Sequence, residues 1–108
     1  YYTGWSSSTG EADWGLRPLF AGDKTPPSMY NISYYKNPTV DANIMKALGT
    51  TDRAEKTKLY TEVQEEIWKD TPWAFLVTEK LLYATSKKLT GMYVMPDANY
   101  FFEEIDLQ

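Results

Sequence analysis

The apolar residues of this chain are spaced in two different ways, and the change comes near residue 72. Before it, Val40, Ile44 and Leu48 recur four apart, as do Leu59, Val63 and Ile67, and each set forms one stripe on a helix. Asn37 followed by Pro38 is a cap and a first-turn proline for the first helix, and Gly49 ends it. Asp52 with Glu55 has capping-box spacing for the second helix, which Pro72 stops from continuing. On that helix Tyr60 and Trp68 flank the stripe, and Lys58–Glu62 and Glu65–Lys69 fall at ion-pair spacing. After residue 72 the apolar residues come in short blocks. Trp73–Thr78 and Leu81–Ala84 read as buried strands, and Met92–Met95 and Tyr100–Phe102 read as β again. Lys87-Lys88 and Gly91 mark a turn between them.

The start of the chain has a third character. Tyr1, Tyr2 and Trp5 read as part of a strand, followed by the polar turn Ser6-Ser7-Ser8-Thr9-Gly10. Asp13 is placed to cap a short helical turn over Trp14–Phe20, and residues 22–36, with Pro26-Pro27, read as an ordered surface loop. Strand, loop, two helices and several strands make an α+β order, or a fragment of a larger α/β protein. A chain opening inside a strand, without Met or a basic leader, is expected to be a piece of something larger.

Composition narrows the chemistry. The 108 residues make one domain, and 43% hydrophobic with 24% charged residues is a globular balance. There is no His and no Cys, which removes thiol nucleophiles, Ser-His triads, disulfides and the usual zinc sites. A net charge of −4 argues against nucleic acid as a partner, and no apolar run nears a membrane span. No cofactor or metal ligand set is visible, since a carboxylate-only site would need an EF-hand-like loop.

Two acidic groups could be read as acid and base for glycoside hydrolysis: Glu11 with Asp13, and Glu103-Glu104 with Asp106. Their simpler account is a turn, a cap and a solvated end. No catalytic residue is therefore expected. A carbohydrate-active enzyme or binding module using Glu11, Asp13 and exposed Trp residues is the alternative reading. The 16% aromatic content also has two accounts, core filling and ligand stacking, and Trp5 sits where either applies. The turn after Trp5 is more suggestive. Ser6, Ser7, Ser8 and Thr9 place four hydroxyls and several backbone N–H groups where a ligand's main chain could bond, although a plain polar loop has the same composition.

Four motifs in order carry a resemblance: Gly4-Trp5-x-x-x-x-Gly10-Glu11-x-Asp13, Tyr35-x-Asn37-Pro38-x-Val40-Asp41, Asp52-x-Ala54-Glu55-Lys56-x-x-Leu59-Tyr60 and Asp70-x-Pro72-Trp73. Together they resemble the C-terminal part of family-five extracellular solute-binding proteins, the capture components of peptide ABC importers. The opening Gly4–Trp14 and the ending Tyr93-Val94-Met95-Pro96-Asp97 look most similar to the periplasmic glutathione-binding members.

That resemblance implies a two-lobed, type II binding-protein fold that closes on a small peptide and passes it to a membrane permease. Residues 1–78 would belong to the C-terminal lobe and 79–108 would return to the first. The ligand-binding residues it implies are Trp5, Ser6, Ser7, Ser8 and Thr9, with no chemistry performed. Many peptide-binding members have Asp three residues after the Trp, on the ligand's α-amino group, where this chain has Ser8. Glutathione, with its γ-linked glutamate, fits that departure; a di- or oligopeptide, haem or a metal chelate are the alternative ligands. Apolar surface made to meet a missing lobe would make the isolated chain self-associate.

Overall fold

The computed structural model describes residues 2–95 and 97–108, so Tyr1 and Pro96, each part of a motif above, lie outside the described residues. Three helices, α1 (Ala12–Phe20), α2 (Pro38–Gly49) and α3 (Arg53–Asp70), precede four two-residue strands. These are β1 (Leu89–Thr90), β2 (Tyr93–Val94), β3 (Tyr100–Phe101) and β4 (Asp106–Leu107), so the chain is α+β. None of the described helices is long and apolar enough to cross a membrane.

The helix termini follow the sequence. Asn37 accepts from Thr39 N (2.9 Å) and Val40 N (3.3 Å), and Pro38 occupies the first turn, where a missing N–H costs nothing. Asp52 accepts from Glu55 N at 2.8 Å, but the other half of the capping box is rerouted. Thr50 Oγ1 takes the Asp52 N–H and donates to Glu55, which also pairs with Lys46 at 3.3 Å. Thr71, at φ 48°, closes α3 by donating its N–H to Ile67 O, and Pro72 follows.

Val40, Ile44, Val63 and Ile67 form the core with Leu19, Phe20 and Ala21 from the end of α1. The expected stripe on α2 is corrected at one position. Ala47 is buried and Leu48 is 45% exposed, because i+7 falls within about 20° of residue 40 around the helix whereas i+8 falls about 80° away. On α3 Leu59, Tyr60, Val63 and Ile67 are buried, while Trp68 faces outward. Lys58 meets Glu62 as expected, but Lys69 pairs with Glu66, one residue nearer than the expected Glu65.

The loop between α1 and α2 is ordered by a residue that carries no hydrophobic signal. Asn31 is fully buried with all four of its hydrogen-bonding positions filled. Its amide donates to Ala21 O and Tyr35 O, and its oxygen accepts from Ser33 and from Tyr35 N. Two further ties lock this loop to the helices. Asp41 accepts from Gly22 N at 2.8 Å, and Asp70 accepts from Tyr35 OH (2.6 Å) and Asn37 Nδ2 (2.8 Å).

The β readings are corrected. Tyr2–Trp5, Trp73–Thr78 and Leu81–Ala84 have no strand partner among the described residues. Extended chain becomes a strand only when a neighbour takes its N–H and C=O groups, and these segments have none here. The pairs that do form are antiparallel: β2 with β3 (Tyr93↔Phe101, Val94↔Tyr100), within the segments expected to be β. The second pair, β1 with β4 (Leu89↔Leu107, Thr90↔Asp106), was not expected. Gly91 makes the junction possible: its φ is +74°, and a Cβ there would lie 1.8 Å from Glu104 O.

Candidate functional site

A proline builds the anchor of the hydroxyl turn. Pro18 lies inside α1 and has no N–H to give to the Trp14 carbonyl four residues earlier. Trp5 fills the vacancy, its Nε1–H donating to Trp14 O at 2.8 Å. The half-buried indole also packs on the rings of Trp14 (6.1 Å between centroids) and Tyr30 (5.0 Å). Trp5 thus has a structural role, pinning the chain immediately before Ser6 to the side of α1.

Beyond Trp5 the turn is tied mostly to itself. Ser7 Oγ donates to Glu11 O at 3.0 Å, Thr9 Oγ1 accepts the Glu11 N–H at 3.2 Å, and Gly10 N donates to Ser7 O at 3.3 Å. Gly10 sits at φ +68°, a conformation that favours glycine. Ser6 Oγ reaches Asp97 O, 91 residues away, at 3.5 Å. The Asp97 carboxylate takes the backbone and side-chain N–H groups of Asn99, which hold its pKa below the ordinary range. Ser8 is exposed, and among the described residues its hydroxyl makes no hydrogen bond, which sets it apart from Ser6, Ser7 and Thr9.

Trp5 and Ser7 also line a groove of about 990 Å³ with Tyr2–Gly4, Leu16, Phe20, Trp68 and the segment Pro72–Thr78. Ser6, Ser8 and Thr9 stand outside it on the turn. The five expected residues therefore divide between a groove wall and an exposed tip. Two participants were missed in the sequence: the Trp14 carbonyl and Asp97. The first was readable, since a proline four residues after an aromatic in a helix frees that residue's carbonyl for a donor.

Glu11, Glu103, Glu104 and Asp106 are exposed, and Asp13 is committed to an ion pair. Asp13 is not the cap of α1; Glu11 holds that position, and Asp13 in the first turn bonds both Nε and Nη2 of Arg17. That hydrogen bonding raises the Arg17 pKa above its usual value. Among the described residues, no three acids gather into a metal-binding group.

No family model matches the chain. Curated relatives do. It is 59% identical over 107 residues to the glutathione-binding protein GsiB of Pectobacterium atrosepticum, a match covering 99% of this chain and 21% of that protein. To the proteins of the same name from Escherichia coli and Salmonella typhimurium it is 54% and 53% identical, over 100% of this chain and 21% of each. The chain thus spans about a fifth of the length of these relatives. With more than half its residues identical from end to end, the chain is a homologue of one segment of the glutathione-binding proteins.

Proposed function

We propose that this chain is the C-terminal part of a two-lobed, type II solute-binding protein that captures a small peptide, glutathione first, in the periplasm. It would deliver that ligand to the permease of an ABC importer and perform no chemistry itself. Residues 1–78 would contribute to the C-terminal lobe and 79–108 would cross to the first. The single observation that carries this reading is identity of 53–59% along the chain to proteins named for binding glutathione.

The turn Ser6–Thr9, held by Trp5, would form one wall of the cleft. Its geometry supports such a use: Trp5 fixes the approach, Ser7 and Thr9 stiffen the turn, and Ser8 keeps a free hydroxyl at the tip. A hydroxyl is neutral and both donates and accepts, so it tolerates a carboxylate or a neutral group of the ligand. Nothing in the geometry favours a carbohydrate-active site, since Asp13 is committed to Arg17.

The experiment is a titration of the full-length protein and its Ser8→Asp variant with glutathione and with a simple dipeptide. A charge-assisted bond to an ammonium contributes about 1.5–3 kcal/mol, and an unpaired buried carboxylate costs at least that much. Glutathione should therefore weaken by tenfold or more, while the dipeptide, with its free α-amino group, should improve. Changes below about twofold in both would remove Ser8 from the site.

A further inference from the structure

Two adjacent residues at the end of α3 are poorly suited to their places. Asp70 is the last residue of the helix, and a carboxylate there faces the negative end of the helix dipole. Thr71, which follows, stands in the left-handed region at φ 48° and ψ 55°. A β-branched side chain is crowded in that region, and a residue before proline is pushed towards extended backbone. Thr71 is therefore opposed by its own branching and by Pro72. Glycine or asparagine is the ordinary choice at such a cap.

What compensates is a pair of hydrogen bonds that converge on one atom. Asp70 Oδ2 accepts from Tyr35 OH at 2.6 Å and from Asn37 Nδ2 at 2.8 Å, across 35 and 33 residues of chain. Bonds to a charged acceptor are the stronger kind. Asn37 caps α2 through its side-chain oxygen at the same time, so the carboxylate ties the end of α3 to the start of α2. Thr71 adds two bonds of its own, from its N–H to Ile67 O at 2.9 Å and from Oγ1 to Trp68 O at 2.8 Å. The chain thus leaves α3 in a fixed direction.

That direction matters for the groove beside the hydroxyl turn. It brings the Trp73 ring to 5.0 Å from Phe20, and Phe20 also meets Tyr35 edge-on at 6.4 Å. Asp70 holds one ring of this cluster directly and sets the approach of another. Ile32 and Ser33, just before Tyr35, and Trp73–Thr78, just after the turn at Thr71, line the same groove as Trp5 and Ser7.

We infer that Asp70 is a positioning residue for the ligand groove: by holding Tyr35 and Asn37 it fixes the exit of the chain from α3, and so the place of the Trp73–Thr78 wall against the Ile32–Ser33 rim. This rests on the reading of the groove as part of the ligand cleft, and goes beyond it by assigning a role to a residue outside the groove lining.

The test uses the full-length protein labelled with fluorotryptophan, as Asp70→Ala and Asp70→Asn. Asp70 is exposed, so neither replacement opens a cavity, and Asn keeps an oxygen where the two donors meet. In fluorine NMR without ligand, the Trp73 resonance, assigned by Trp73→Phe, should shift in Asp70→Ala while that of Trp14 stays in place. Asp70→Asn should return it to the parent position. Titration with glutathione should show affinity weakened about tenfold in Asp70→Ala and within about twofold of the parent in Asp70→Asn. A bond that only stabilises would lower the melting temperature of Asp70→Ala and leave both readings unmoved, and that result would overturn the inference. An equal loss of affinity in Asp70→Asn would overturn it too, because the hydrogen bonds survive there. If the parent protein fails to bind glutathione, the proposed function falls, and the Trp73 resonance still decides whether Asp70 sets the wall.

Discussion

Pairing between Trp5 and the carbonyl that Pro18 frees can be tested by a double-mutant cycle. In Trp5→Phe the aromatic contacts with Trp14 and Tyr30 are largely kept, but Trp14 O loses its donor. A half-buried carbonyl left without a partner costs about 1–2 kcal/mol. Pro18→Ala restores an N–H at the position from which a helix bonds Trp14 O, so in the Trp5→Phe background it supplies the missing donor. In the parent chain that new N–H only competes with the indole. Pro18→Ala has other effects, including lost packing of the buried ring and a more flexible unfolded chain, but they are common to both backgrounds and cancel in the cycle. The prediction is that Pro18→Ala is more favourable by about 1–2 kcal/mol after Trp5→Phe than before it. Urea denaturation followed by far-UV circular dichroism reads the four proteins without depending on tryptophan fluorescence. Additivity within about 0.5 kcal/mol would refute the pairing and, with it, the account of how the hydroxyl turn is anchored.

Asn31→Ala should lower stability by about 3 kcal/mol in the same assay, because Tyr35 loses the partners of both its N–H and its C=O; a loss below about 1 kcal/mol would mean water replaces the side chain. Gly91→Ala should break the register of β1 with β4, since a Cβ would fall 1.8 Å from Glu104 O, and amide exchange at Gln108, whose N–H bonds Lys88 O across the pair, should rise while α3 is unaffected. Two pH effects follow from the Tyr35–Asp70 contact. Hydrogen bonds from Tyr35 and Asn37 lower the Asp70 pKa, so its contribution is present above the unfolded value near 3.9 and is lost as pH falls through the folded one; Asp70→Asn should flatten the acid limb. Burial, then the bond to Asp70, raises Tyr35 to about 12, so its contribution is complete below pH 10 and disappears as pH rises through 12; Tyr35→Phe should remove that alkaline dependence.

The two long helices were legible because their signals are local. A cap and the amide it binds lie within three residues of each other, and a stripe repeats every turn, so Asn37, Asp52, Val63 and Ile67 need no knowledge of the rest of the chain. The errors within helices are also local in origin. Leu48 was assigned to the core by counting in fours, whereas the true period of 3.6 favours Ala47 after two turns. Asn31 was illegible for a different reason. Its four bonds all go to one irregular loop whose path no periodicity encodes, and a buried amide looks the same in sequence as a solvated one.

The strands divide along the same line. Apolar composition in Trp73–Thr78 and Leu81–Ala84 reports a preference for pleated, covered surroundings, but a strand exists only between two segments. Tyr93–Val94 finds its partner seven positions on and pairs, whereas residues 73–84 find none among the described residues and remain single. Preference and outcome differ there because a strand needs a second segment, and none of the described residues supplies it. The hydroxyl turn follows the same logic at the level of function. Its residue types were visible, its anchoring through Trp5 required the helix to be built first, and its proposed use as a ligand wall requires a facing surface that residue types do not encode.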